Sequence, residues 1–179
     1  MQKPLKYILG ILVVSILAGI IILRNGGGLE AKFNEKTVSR AEFAKIIVEY
    51  FNMKPLTTCN VFSDVPEGVW FNEYVCTLYE KGIVTGQSGQ FQPQIAINRS
   101  EAAKMIHLVF GIQCEQCNFS NFFTDLQDGA WYTKYINELA AANFFQKELA
   151  IGSQFNSNGH VTHAAVKRWF LDPSLFKSP

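Results

Sequence analysis

The sequence predicts a mostly α-helical repeat with short extended loop segments, set behind an N-terminal transmembrane helix. Three observations predict it: a motif that recurs at a constant offset, helix caps followed by apolar stripes of helical period, and one unbroken apolar run near the start. Phe62, Asp64, Trp70, Tyr74 and Leu78 recur as Phe123, Asp125, Trp131, Tyr135 and Leu139, 61 residues on. Phe91 recurs as Phe155 and Arg99 as His163, now 64 residues on, which places a three-residue insertion in the later copy near 146–152. The end of the same unit also stands upstream, from Val38 to Phe43. A fixed period with shared punctuation marks units that bury their apolar faces only against their neighbours.

The apolar run comes first in the chain. Residues 7–23 read YILGILVVSILAGIIIL, without a charge. At about 1.5 Å per residue this run spans roughly 25 Å, near the short limit for a bilayer. No face of it is polar, which argues against a core helix. The run continues past Ala18 and Gly19, the one weak cleavage candidate, so the expectation is an uncleaved signal anchor, with a cleaved signal as the alternative. Lys3 and Lys6 precede the run and Arg24 follows it, which puts the bulk of the chain outside. Asn25 to Gly28 is a flexible spacer. All 15 acidic but only 13 of the 16 basic residues lie beyond the anchor, leaving that part near −2. A nucleic-acid binder would carry a basic surface, so that class is excluded. About 150 residues remain, enough for one core.

The first repeat helix is expected over 39–52. Ser39 and Glu42 have capping-box spacing, and Phe43, Ile46, Ile47, Tyr50 and Phe51 follow at helical period. Asn98 and Glu101 repeat the box ahead of Ala102, Met105, Ile106, Val109 and Phe110, with Gly111 suited to a left-handed cap. The last copy starts at Thr162, lacks the box glutamate at Ala165, and puts Val166, Trp169 and Phe170 on its stripe. The partner helices begin near Trp70 and Trp131 and end at Gly82 and Asn143, the residue types that best tolerate left-handed backbone. A glycine loop from Thr85 to Pro93, with an extended piece at 90–92, completes the unit.

These residues carry a resemblance. FSDV…W…GIVTG…G.F.P…INRSEAAKMI resembles the S-layer homology repeat, and SRAEFAKII resembles the TRAE helix of a preceding repeat. The resemblance runs from about Val38 to Leu171. After the anchor over 1–25 and a linker over 26–37, it implies a partial repeat over 38–58, a full repeat over 59–113 and a degenerate repeat over 114–172, followed by a tail over 173–179. It also implies a pseudo-threefold helical bundle whose inter-repeat grooves bind secondary cell-wall polysaccharide, often carrying acidic ketal-pyruvate groups. The partners expected are therefore an anionic wall polysaccharide, the membrane through residues 7–23, and a surface protein, with no nucleic acid, no metal and no cofactor.

Arg40 and Arg99 stand at the position of the TRAE arginine, where a guanidinium fork beside a helix N-terminus binds a carboxylate. The competing reading pairs each with an acid of the repeat, such as Asp64 or Asp125. His163 in the third copy weakens or removes that groove. Trp70 and Trp131 offer faces for sugar stacking, or pack in the core. Gly86 and Gly89 admit a ligand, or simply turn the chain. Of the four cysteines, the repeat register pairs Cys59 with Cys76, leaving Cys114 with Cys117. A zinc site or a redox CxxC is the rival, disfavoured by the single CxxC and the lack of a βαβ pattern. His160 and His163 straddle a helix start and read as solvated, and His107 reads as surface. The chain shows no P-loop or nucleophile elbow, so it reads as a non-enzymatic, membrane-anchored wall-binding module. Two alternatives are a scaffold that has lost glycan binding and a small hydrolase using Asp64 or Glu101.

Overall fold

A computed structural model describes residues 35–56, 59–112 and 120–170. The expected anchor over 7–23 and the Cys114–Cys117 pair lie outside the described residues. From Thr37 onward the described residues belong to one compact unit. Its helices are α1 (Arg40–Tyr50), α2 (Asn72–Glu80), α3 (Arg99–Phe110), α4 (Thr133–Ala141), α5 (Gln146–Ile151) and α6 (His163–Phe170). Extended backbone among the described residues takes the form of isolated bridges. No described helix is long and apolar enough to cross a membrane.

The helix starts follow local chemistry. Ser39 and Asn98 each accept from the backbone N–H three residues on, while Glu42 and Glu101 reach back to the cap N–H, so both capping boxes are formed. Gly111 closes α3 in the left-handed region. Gly82 and Asn143 also take positive φ just past α2 and α4. Helix α5 falls where the offset between copies changes.

Three residues knit the units together. Val38 N–H donates to Val161 O, Ile97 N–H to Val38 O, and Val161 N–H to Ile97 O, at 2.8, 3.0 and 2.9 Å. Each unit thus gives one hydrogen bond and takes one, and the three close in a ring. All three side chains are fully buried. The core spreads outward from there. Phe43, Tyr50 and Phe144 surround Phe170, and Phe145 lies between Phe123, Phe155 and Trp169. Phe110, expected on the apolar stripe of α3, is 41% exposed at its end.

Cys59 and Cys76 form a disulfide, tying the loop before α2 to the helix. In the next copy Asn137 stands at the place of Cys76. Its side chain donates to Asn121 Oδ1 and accepts from Phe122 N–H. The same tether is covalent in one unit and hydrogen-bonded in the other. Bridging 17 residues of sequence separation stabilises by about 3 kcal/mol through loop entropy. Reduction is therefore expected to lower the urea midpoint by that amount divided by the slope; an unchanged midpoint after complete thiol alkylation would contradict it.

Candidate functional site

Consecutive units meet where α1 packs on α2 and α3 packs on α4. At each of these seams one tryptophan stays out of the core. Trp70 is 52% exposed and Trp131 is 55% exposed. Neither is buried as a core residue. Each lies near a tyrosine one turn on, with ring centroids 6.4 Å apart for Trp70 and Tyr74, and 6.5 Å for Trp131 and Tyr135. A lysine from the preceding unit covers both rings. Lys45 Nζ is 5.9 Å from the Trp70 ring and 5.8 Å from Tyr74; Lys104 Nζ is 5.9 Å from Trp131 and 6.0 Å from Tyr135. Such a cluster sets an exposed apolar face beside a half-buried phenol and a half-buried cation. The lysines escaped the sequence reading, although Lys45 and Lys104 recur 59 residues apart, the spacing that also relates Arg40 to Arg99.

The arginines lie deeper. Arg40 Nε donates to Phe91 O at 2.8 Å and its guanidinium stacks on the Phe91 ring. Arg99 repeats this on Phe155, with Nε donating at 2.6 Å. Each is paired with an acid, as the competing reading had it, but the acids are not Asp64 and Asp125. Arg40 pairs with Glu101 at 3.0 Å, and Arg99 pairs with Glu148 at 2.8 Å. Asp64 instead accepts from the N–H groups of Phe91 and Gln92, and Asp125 from those of Phe155 and Asn156. These aspartates hold the loop strand whose carbonyl then receives the arginine. The helix N-termini are also committed. Arg40 and Ala41 N–H donate to Ile95 and Pro93 carbonyls; Arg99 and Ser100 N–H donate to Gly159 and Ser157.

The two seams differ in access. The Arg40 side chain is 16% exposed and its partner Glu101 35%; Arg99 is 10% exposed and Glu148 9%. Glu148 also accepts from Arg168 Nε and Trp169 Nε1. Burial would raise its carboxyl, but hydrogen bonds and charge from Arg168 and Arg99 outweigh this and hold it below its usual value.

Gly86 and Gly89 form a turn, with Gln87 and Gln90 exchanging backbone hydrogen bonds across it. A Cβ at Gly86, where φ is +67°, would strike the Phe62 ring and approach Gln90 O to 2.6 Å. Gly89, at φ +74°, faces open space. His107 corrects the surface reading: it is 5% exposed and paired with Glu138, itself buried, beneath the Tyr135 ring. The corresponding pair at the first seam is Val48 and Thr77, both buried.

The class these features define is a helical repeat module whose successive units close through a backbone ring and expose an aromatic–lysine cluster at two seams. Residues 61–103 match the S-layer homology domain. The chain is 31% identical over 124 residues to an S-layer protein of Bacillus thuringiensis subsp. finitimus, covering 66% of this chain and 15% of that protein. It is 31% identical over 134 residues to a surface-layer 125 kDa protein of Lysinibacillus sphaericus, covering 74% and 11%. It is 27% identical over 133 residues to an amylopullulanase of Thermoanaerobacterium thermosulfurigenes, covering 72% and 7%. This chain is an S-layer homology domain protein. It spans only 7% to 15% of the length of these three relatives.

Proposed function

We propose that the chain is a non-enzymatic cell-surface module that binds an anionic, pyruvylated secondary cell-wall polysaccharide and so attaches a membrane or a surface-protein partner to the wall. The observation that carries this reading is the twofold recurrence, at the seams, of an exposed tryptophan beside a half-buried tyrosine and lysine. A sugar ring stacks on the indole face while the lysine meets its acidic substituent. Arg40 supplies a second cation at the first seam, where Glu101 is partly exposed and able to yield. Gly86 and Gly89 keep the adjoining loop in shape. The reading takes the bundle as a pseudo-threefold one, supported by the hydrogen-bond ring through Val38, Ile97 and Val161. It takes residues 7–23 as a signal anchor and the remainder as extracytoplasmic. The same region recurs in relatives named as S-layer proteins and in one named as an amylopullulanase, which favours a shared attachment module over a shared catalytic site.

One observation favours the second reading, a scaffold of the same fold without glycan binding: Arg99 is buried against Glu148. Sedimentation with purified walls separates the two. Retention is expected to fall about tenfold for Trp70→Ala and further for Trp70→Ala/Trp131→Ala, as for other exposed aromatic anchors. Undiminished retention of a folded double variant would rule out the seams as the sugar contacts. Retention on polysaccharide-stripped walls would favour the scaffold.

A further inference from the structure

The second seam contains a finished carboxylate-binding pocket with a carboxylate already in it. Glu148 Oε2 accepts from Arg99 Nη2 at 2.8 Å, and Oε1 accepts from Arg168 Nε at 2.8 Å and Trp169 Nε1 at 3.1 Å. The Phe155 and Trp169 rings lie 4.7 and 5.1 Å from the Arg99 guanidinium. At the first seam the corresponding arginine meets Glu101, which belongs to a capping box. The third copy has Ala165 at the Glu101 position, so no capping-box acid is available to Arg99. Helix α5, at the insertion, brings Glu148 in its place. Arg168 takes part as well, although it stands in the register of Lys45 and Lys104, the lysines that cover the exposed tryptophans.

We propose that Glu148 is a resident ligand. Its carboxylate permanently fills the place at the second seam where an acidic sugar substituent would meet Arg99. The chain then offers one arginine for an outside carboxylate, Arg40, rather than two, and the second seam binds only through its Trp131 cluster. This rests on the wall-binding reading for the identity of the outside ligand; the chemistry of the pocket is independent of it.

The experiment uses Glu148→Ala and sodium acetate, with sodium chloride at equal ionic strength as the control. Thermal midpoints are followed by circular dichroism and the Trp169 indole N–H by NMR. In Glu148→Ala, acetate is expected to enter the vacated pocket, raise the midpoint by about 5 °C and shift the indole resonance saturably. The wild-type Trp169 resonance should not move, and any rise in the wild-type midpoint, through Arg40, should stay well below that of the variant. A wild-type Trp169 resonance that moves with acetate overturns the proposal, because the pocket would then be open. A variant that responds no more than wild type also overturns it. If Glu148→Ala has no cooperative melt in chloride, acetate is expected to restore one, and failure to do so counts equally against the proposal. Absence of wild-type wall retention would instead sink the glycan reading and leave the acetate result standing.

Discussion

Replacing Glu148 by alanine is expected to lower the unfolding free energy by about 3–5 kcal/mol, the usual cost of removing one partner from a buried ion pair. The cost is large here because two arginines and an indole N–H lose their common acceptor together. Arg99 is only 10% exposed and stacked on the Phe155 and Trp169 rings, so little hydration replaces the lost pairing. The loss should depend on pH. Glu148 titrates below its usual value of 4.5 in the folded chain. The part of its stabilisation that depends on ionisation is therefore present above about pH 4.5 and is lost as pH falls through the lower, folded value. Wild type and Glu148→Ala should converge in stability toward strong acid and diverge near neutrality. Urea unfolding from pH 3 to 7 measures this; a constant difference across that range would contradict the assignment. Arg168→Ala should cost less, since its side chain is 32% exposed and Arg99 would still neutralise the acid.

Gly86→Ala is expected to destabilise by about 2–4 kcal/mol, while Gly89→Ala costs about 1 kcal/mol. Both positions have positive φ, so both incur the left-handed penalty. Only Gly86 has neighbours in the way. The new methyl group would meet the buried Phe62 ring and the Gln90 carbonyl, and neither can retreat freely. Phe62 packs on Phe91 and Tyr79, and the Gln90 carbonyl accepts from Gln87 N–H. Displacing Phe62 would also disturb Phe91, whose carbonyl receives Arg40 Nε and whose ring carries its guanidinium. Calorimetric comparison of the two variants checks the difference; equal losses would show that the clash is relieved. The glycine at 86 is thus required by the turn itself, whatever the loop binds.

Much of this architecture was legible because the repeat writes each rule more than once. Both capping boxes could be read from Ser39 with Glu42 and Asn98 with Glu101, and both formed. The Cys59–Cys76 pair followed from register, and Asn137 shows why one tether suffices per unit. The insertion could be located from a change of offset, but not its content. Nothing in spacing reveals that residues 146–151 would fold as a helix and aim Glu148 at an arginine 49 positions earlier. That Arg40 and Arg99 pair with acids was legible as the competing reading, but not that the acids are other than Asp64 and Asp125, for a related reason. Those aspartates are drawn to two backbone N–H groups each, and the arginine takes a carbonyl of the same loop. His107 was misread because a polar side chain was judged against the apolar stripe of its own helix. Its counterpart Val48 is buried, and the 59-residue register would have placed His107 inside. The same register would have found Lys45 and Lys104.

Wall attachment as proposed requires recognition of negative charge on the polymer. The direct measurement is a calorimetric titration of the chain with purified secondary wall polysaccharide, once with its acidic pyruvate groups intact and once after their removal by mild acid. Saturable binding to the intact polymer, weakened at least about tenfold after removal and by rising salt, is the predicted result. Equal affinity for both preparations, or none for either, would contradict it.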